Sequence, residues 1–317
     1  MLDRAHPDVS IVLPTKNAGS PLGDVLAAIN SQKTRRRVEI VAFDSGSTDG
    51  TVDLLVRAGA RVTEIPSSEF NHGLTRNQAI ASSQGDLVVL LTQDAVPAND
   101  RWLDSLLAPF ENDEVAGVYA RQIPHPDADV LTRRNLEQWV VGNLERREQR
   151  ITDHTSYLRL HPMERYKLCC FDDVCSALRR SVWERIPYEW AYFAEDLDWG
   201  KKAIEAGWTL VYEPEAAVVH SHDRSVWYEY KRTYLCHRRL YELFGLRTVP
   251  RLVDALRNAA RGGLADAAFA WREERGLRQR LELTLRAPLL ALLANLAQWR
   301  GAADERLNRR VPAMRGV

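Results

Sequence analysis

Leu87-Val88-Val89-Leu90-Leu91-Thr92-Gln93-Asp94-Ala95 is the stretch on which the reading of this chain turns. Five apolar residues run without interruption and stop at a polar turn that carries one carboxylate. A short continuous apolar run bounded by polar residues describes a strand buried on both faces, as in a parallel sheet. Open α/β sheets take their ligands at the carboxyl ends of such strands. Asp94 therefore stands where a ligand would sit, with an ordinary loop carboxylate as the plain alternative.

Working upstream, Val9-Ser10-Ile11-Val12-Leu13-Pro14 reads as a first strand, Val38 to Phe43 as a second and Arg61 to Ile65 as a third. Leu22, Val25, Leu26 and Ile29 recur at helical spacing between the first two, and the stretches Thr51 to Ala58 and Leu74 to Ser83 supply further helices. Strands alternating with short helices make βαβ units. Right-handed crossovers then place Pro14-Thr15-Lys16-Asn17, Asp44 to Gly50, and Thr92 to Ala95 along one edge. The expected class is α/β: a mostly parallel sheet flanked by helices, with a Rossmann-like nucleotide-binding half. Downstream, the pattern predicts a helix around Leu131 to Arg150, another over Leu197 to Ala206, and short strands at Thr209 to Tyr212 and Ala217 to His220. From Trp227 the pattern is helical, with breaks at Pro250, Gly262-Gly263 and Pro288.

Composition narrows the function. The 317 residues are 45% hydrophobic and carry a formal net charge of zero, which gives no footing for nucleic acid. Charge is uneven, however. From Arg247 onward 14 basic residues face 7 acidic ones, a net of +7, so the first 246 residues carry about −7. A basic tail on an acidic body suits an anionic surface. Leu281, Leu285, Leu289, Leu292, Leu293 and Leu296 recur at helical spacing among arginines, which fits an interfacial helix on anionic lipid or helices packed on protein, including a second subunit. No run approaches the roughly 20 apolar residues of a membrane span, and the polar start, Met1 to Ser10, does not read as a signal peptide. Cys169, Cys170, Cys175 and Cys236 form no CxxC pair and read as thiols of a reducing cytoplasm.

The first strand is followed by Pro-Thr-Lys-Asn, not by GxGxxG, and no GxxxxGK[ST] occurs. Phosphates would need another neutraliser, and Mg²⁺ or Mn²⁺ on Asp94 is the simplest. Asp44 is placed to accept a hydrogen bond from a base N–H or a ribose hydroxyl; Ser47, Thr48 and Asp49 fit the competing role of helix cap better. Arg76 opens a helix beside this edge and is a candidate for a diphosphate. Glu195 and Asp196 adjoin aromatic residues, so mutual repulsion and desolvation would raise a pKa and yield a general base; an acidic first helical turn is the bland reading. His220 and His222 would share one face of a strand and offer imidazole ligands.

These segments together resemble family 2 glycosyltransferases of the GT-A fold. The matching stretches, in order, are Ser10 to Asn17, Asp44-Ser45-Gly46-Ser47-Thr48-Asp49-Gly50-Thr51, His72-Gly73 through Arg76-Asn77, and Thr92-Gln93-Asp94-Ala95. Ser176 to Arg180, Ala194-Glu195-Asp196-Leu197-Asp198-Trp199-Gly200, Tyr212 to Ala216 and His220-Ser221-His222 resemble the bacterial rhamnosyltransferase branch. The resemblance implies a GT-A catalytic domain over residues 1–235, with a nucleotide-sugar half (1–121) and an acceptor half (122–235), followed by a helical region (236–317) for membrane association or oligomerisation. It implies that Pro14, Thr15, Asn17, Asp44, Arg76, Gln93 and Asp94 bind the nucleotide sugar, that Asp94 is the surviving acid of the DXD motif, and that His220, or else His222, completes the metal site. Asp196 would be the catalytic base, with Glu195 and Trp199 beside the acceptor. The implied reaction is inverting, metal-dependent transfer of a sugar, best L-rhamnose from dTDP-rhamnose, to a glycan or lipid-linked hydroxyl in cell-surface polysaccharide synthesis. The implied place is the cytoplasm, peripheral on the inner face of the plasma membrane. A UDP-sugar donor, an inactive nucleotide- or glycan-binding module and a nucleotidyltransferase are the alternatives. Two departures stand out: Thr92 replaces the first DXD carboxylate, and Asp172-Asp173-Val174-Cys175 stands where the branch often has Ser-Asn-Val-Asn.

Overall fold

The computed structural model describes residues 6–222 and 225–311. The ends of the two expected regions, residues 1–5 and 312–317, lie outside the described residues. The chain divides into two compact units. The first comprises residues up to 125 together with 137–155 and 168–220; the second comprises 126–136, 156–167 and 221 onward.

Among the described residues, nine strands form the sheet of the first unit: β1 (Val9–Thr15), β2 (Val38–Asp44), β3 (Arg61–Glu64), β4 (Leu87–Leu91), β5 (Val96–Pro97), β6 (Val115–Ile123), β7 (Arg147–Gln149), β8 (Cys175–Arg179) and β9 (Thr209–Val219). Their order is β3-β2-β1-β4-β8-β6-β9-β5, with β7 paired to β9. The first four strands are parallel, as their apolar runs require. The sheet then becomes mixed, because β8 enters antiparallel to both β4 and β6. β4 is buried along its whole length, which explains why its sequence does not alternate.

Helices α1 (Pro21–Asn30), α2 (Thr51–Arg57), α3 (His72–Ser82), α4 (Trp102–Leu107), α8 (Arg180–Trp183) and α9 (Glu195–Glu205) belong to this unit. Helices α5 (Val130–Glu137), α6 (His154–Arg159) and α7 (Pro162–Leu168) lie between β6 and β8 in sequence. The long helix expected to Arg150 stops at Glu137, and β7 occupies its last part, where Arg147 to Gln149 pair with β9. The two short strands expected at 209–220 are one continuous strand, β9, whose partner β6 shifts register between Ala120 and Gln122.

The second unit is built on α10 (Val226–Phe244), α11 (Leu252–Glu273) and α12 (Leu277–Arg306). Within it α10 runs unbroken across residue 235 and is bound to α12. The Tyr234 hydroxyl donates to Asp304 Oδ2 at 2.9 Å, and Arg238 Nε donates to Glu305 Oε2 at 2.8 Å. The breaks expected at Gly262-Gly263 and Pro288 do not occur. Instead these residues make a helix crossing. A Cβ on Gly263 would lie 2.7 Å from the Pro288 Cα, so the missing side chain is what lets α12 approach.

Candidate functional site

The sheet edge is organised by side chains that close loops. Thr15 and Asp44 are register partners at the ends of β1 and β2, and the Thr15 hydroxyl donates to Asp44 Oδ2 at 2.8 Å. Asp44 also accepts from the Gly46 and Ser47 amides and from the Ser47 hydroxyl, so this buried carboxylate is fully hydrogen-bonded. Asn17 takes φ +45°, a left-handed conformation that asparagine tolerates, and its Oδ1 accepts from the Thr48 amide at 2.8 Å. Asp49 accepts from the amides of Gly19 and Thr51 and from the Thr51 hydroxyl, which ties the loop before α2; the cap position itself is Gly50, not Asp49, Ser47 or Thr48. Gln93 joins the first and fourth strand ends: its Oε1 accepts from the Lys16 amide at 2.8 Å and its Nε2 donates to the Lys16 carbonyl at 3.2 Å.

Asp94 follows directly, with 29% of its side chain exposed, and its Oδ1 lies 3.7 Å from His220 Nε2. His220 enters this edge because its amide donates to the Ile123 carbonyl just beyond the β6–β9 pairing. Its other ring nitrogen, Nδ1, is 3.0 Å from Gln122 Oε1. Gln122 Nε2 in turn donates to Asp172 Oδ1 at 3.1 Å.

The neighbouring residue, Asp173, begins a second, more buried cluster. Its amide donates to Asp196 Oδ2 at 3.3 Å. Its carboxylate accepts from the Ser176 hydroxyl at 2.7 Å and from the Tyr188 hydroxyl at 2.7 Å. The Arg76 guanidinium reaches Glu195 through Nη1, and its Nε lies 3.6 Å from Asp173 Oδ2. Asp196 is half-buried at the start of α9, behind Ala194, whose φ of +52° is strained for a residue with a side chain. Burial, reinforced by the carboxylates of Glu195, Asp173 and Asp172, holds the Asp196 carboxyl well above the ordinary range. Burial, the largest influence, pushes Glu195 the same way, but the charges of Arg76 and His72 together with the hydrogen bonds it accepts leave Glu195 below its usual value. Burial keeps Asp173 raised.

Asn77 fastens the segment leading to this cluster. Its Nδ2 donates to the Tyr188 carbonyl at 2.7 Å, and its Oδ1 accepts from Trp183 Nε1 and the Tyr188 amide. Gly73 lies so close to this segment that a Cβ would meet the Glu189 carbonyl oxygen at 2.7 Å. The His72-Gly73 to Arg76-Asn77 motif is thus a mount for residues 183–196.

Residues 10–186 match the family model for glycosyl transferase family 2. The chain belongs to that family. It is 33% identical over 231 residues to the O-antigen chain rhamnosyltransferase WbaN of Salmonella anatum, covering 71% of this chain and 70% of that one. It is 29% identical over 238 residues to an N-acetylglucosaminyl-diphospho-decaprenol L-rhamnosyltransferase of Mycobacterium tuberculosis, covering 66% of this chain and 75% of that one. A solved mannosyltransferase from Pyrobaculum calidifontis, in complex with GDP-Man and Mn²⁺, shares the fold with a TM-score of 0.61 at 18% identity, covering 97% of this chain and 89% of that one. The resemblance drawn from the motifs and the enzyme class it implied are both met.

The structure brings Asp94 together with His220, and Thr15 with Asp44. His222 is exposed and falls in the second unit, whose last segment begins at Ser221. Pro14 is half-buried at the end of β1. Two of the expected site residues are buried against protein. Trp199 is only 1% exposed, its ring packs on Phe171 and Tyr188, and its Nε1 donates to the Ile186 carbonyl. Arg76 is 5% exposed and turned onto Glu195 and Asp173. Gln122, Asp172, Asp173 and Tyr188 were not singled out as site residues. Asp172 and Asp173 did register, but only as a departure from the branch pattern.

Proposed function

We propose that this glycosyltransferase moves L-rhamnose from dTDP-rhamnose to a hydroxyl of a glycan or lipid-linked acceptor, with inversion at the anomeric carbon. The geometric support is the Asp94–His220 pair at 3.7 Å beside a buried acidic cluster that holds Asp196. The choice of sugar leans on the relatives named above. A carboxylate and an imidazole facing each other across that gap suit Mg²⁺ or Mn²⁺, since two ligands of one small divalent ion stand roughly 3–4 Å apart. Asp94 and His220 would hold the ion. His222, two residues along the same chain segment, would be the third protein ligand. When bound, the ion would neutralise charge developing on the departing diphosphate.

The other steps fall to the chain's own groups. Thr15 and Asp44 form a rigid wall for the nucleoside; a base N–H would take the place of the Ser47 hydroxyl on Asp44. Pro14, Asn17 and Gln93 shape the adjoining rim. Asp196 accepts the proton of the acceptor hydroxyl as that oxygen bonds to the anomeric carbon and the bond to the diphosphate oxygen breaks. The raised affinity of Asp196 for a proton suits a base that must be regenerated each turnover. Arg76 acts through Glu195 and Asp173, placing them and not the phosphate.

For localisation, the supporting observation is in the second unit. Val253, Leu256, Leu264 and Trp271 are exposed along α11, and Leu277, Leu281, Leu285 and Leu289 along α12. Arg257, Arg261, Arg272, Arg275 and Arg278 are exposed among them. Among the described residues no helix is long and apolar enough to cross a membrane. Apolar stripes flanked by arginine suit the surface of an anionic bilayer, where a lipid-linked acceptor would be found.

The test is a donor screen. The protein, a polyprenyl-diphosphate-linked sugar acceptor and each of dTDP-rhamnose, UDP-glucose, UDP-galactose and UDP-N-acetylglucosamine are incubated with Mn²⁺ or with chelator. Transfer from dTDP-rhamnose that stops on chelation is expected. Transfer from a UDP-sugar in its place overturns the donor; binding without turnover of any donor overturns the enzymatic reading.

A further inference from the structure

We infer that Gln122, itself oriented by Asp172, sets the tautomer of His220, placing the ring hydrogen on Nδ1 and the lone pair on Nε2, the nitrogen that faces Asp94. The function of this device rests on the reading of His220 as a metal ligand; the tautomer itself does not.

The argument is one of donors and acceptors. Gln122 is buried, at 7% exposure, on β6 just past the register shift against β9. Its backbone is secured there by its amide, which donates to the Val141 carbonyl at 2.8 Å. Its side-chain amide has one end that donates and one that accepts. One end lies 3.1 Å from Asp172 Oδ1 and the other 3.0 Å from His220 Nδ1. An ionised carboxylate only accepts, and Asp172 Oδ1 already receives the Val174 amide at 2.9 Å. The NH₂ group of Gln122 must therefore face Asp172, because the reversed amide would set oxygen against oxygen. Gln122 Oε1 is then left facing Nδ1, and an oxygen of an amide can only accept. The histidine must donate from Nδ1. In the neutral ring Nε2 carries no hydrogen, which is the form a metal ligand requires.

An unassisted imidazole would share its hydrogen between both nitrogens and rotate about its side-chain bonds. Here the hydrogen bond fixes both the hydrogen and the ring plane. Gln122 and Asp172 are positioning residues, and the departure at Asp172 from the branch pattern acquires a purpose.

The test uses the full-length protein labelled with ¹⁵N-histidine, free of metal, at a pH where the rings are neutral. Nitrogen–carbon-bound-proton correlation spectra report each tautomer, with His220 assigned by its loss in His220→Ala. For His220 we expect a protonated Nδ1 and an unprotonated Nε2. Gln122→Leu is expected to redistribute the hydrogen and to weaken Mn²⁺ binding about 10–100-fold by titration calorimetry. Its affinity for dTDP in chelator should stay the same. Gln122→Glu keeps an acceptor at Nδ1 and is expected to restore the tautomer. A wild-type ring protonated at Nε2 overturns the inference, as does a Gln122→Leu protein whose His220 tautomer is unchanged. Should Gln122→Leu fail to fold, the wild-type spectrum alone decides. His220→Ala binding Mn²⁺ as tightly as wild type would instead sink the metal reading, while the tautomer result would stand.

Discussion

Arg76, on α3, forms a buried ion pair with Glu195, the residue immediately before Asp196 at the start of α9. The pair reaches over 119 positions of sequence and fixes the helix start that presents Asp196. Removing one partner of such a pair strands the other as an uncompensated buried charge, at about 3–5 kcal/mol. Arg76→Met is therefore expected to lower stability by that order in urea denaturation. In the folded fraction it should reduce kcat and leave the KM for the nucleotide sugar near wild type. A large rise in donor KM with unchanged stability would return Arg76 to the diphosphate.

Asp196→Asn is expected to reduce transfer by about 10²–10⁴-fold while dTDP binding, followed by calorimetry, is retained. The same substitution should stabilise the protein. Asp196 has a folded pKa above its unfolded value of about 3.9, so the folded state holds its proton more tightly. That contribution to stability is present at low pH and is lost as pH rises through the folded pKa. At neutral pH the carboxylate is a cost, and the uncharged amide removes it, for a gain of order 1 kcal/mol. Transfer by the wild type should rise with pH through the same raised value, since the base works unprotonated. A transfer rate that does not rise with pH above the ordinary carboxylate range, or unchanged stability in Asp196→Asn, would count against this assignment.

Chelation should abolish transfer and Mn²⁺ should restore it. Asp94→Ala and His220→Ala are each expected to weaken Mn²⁺ binding at least tenfold, measured in the presence of dTDP. Thr92 lengthens the odds against tight binding before the donor arrives, because it leaves Asp94 as the single carboxylate of the motif. Mn²⁺ affinity in dTDP's absence should therefore be weak even in the wild type, and a tight site on the free protein would contradict that.

The parallel half of the sheet could be read directly, because β4 is buried on both faces and its run of apolar residues marks it. The mixed half could not. β8 inserts between β4 and β6 through pairings distant in sequence, and no local pattern encodes such a neighbour. Asp94, Asp196 and His220 were legible because motifs name them. Their supports were not. Gln122 and Asp172 gain meaning only through a contact across 50 positions, and Arg76 only through one across 119. The burial of Trp199 was not legible, because its place in a motif says nothing of which face of α9 it occupies. Gly263 and Pro288 misled for a related reason: residues that break helices in isolation here allow two helices to meet.

That crossing gives a stability test in the second unit. A Cβ at residue 263 would stand 2.7 Å from backbone carbon of Pro288 and cannot be accommodated by rotating a side chain. Gly263→Ala is expected to cost about 1–3 kcal/mol through forced separation of α11 and α12. Gly262→Ala is the control, since no heavy atom lies within 4 Å of its added Cβ. Replacing a helical glycine by alanine there should be neutral or stabilising by up to about 1 kcal/mol. Equal effects of the two substitutions in thermal unfolding would remove the crossing as the reason for the glycine.

The exposed stripe on α12 separates membrane docking from self-association. Leu281, Leu285 and Leu289 are spaced four apart and each has about half or more of its surface exposed, at 46%, 78% and 49%, whereas Leu292, Leu293 and Leu296 are half-buried. Burying three leucines in a bilayer interface is worth several kcal/mol at roughly 25 cal/mol per Å² of apolar area. Each nearby arginine adds about 1 kcal/mol on an anionic surface. The triple variant Leu281→Ser, Leu285→Ser, Leu289→Ser should therefore lose flotation with phosphatidylglycerol vesicles while keeping transfer to a water-soluble acceptor. Substituting Arg275 and Arg278 by Gln should weaken flotation on anionic vesicles and leave the small residual binding to phosphatidylcholine unchanged. If the triple variant instead floats as the wild type does but changes from dimer to monomer in sedimentation, the stripe is a subunit contact and the lipid assignment fails.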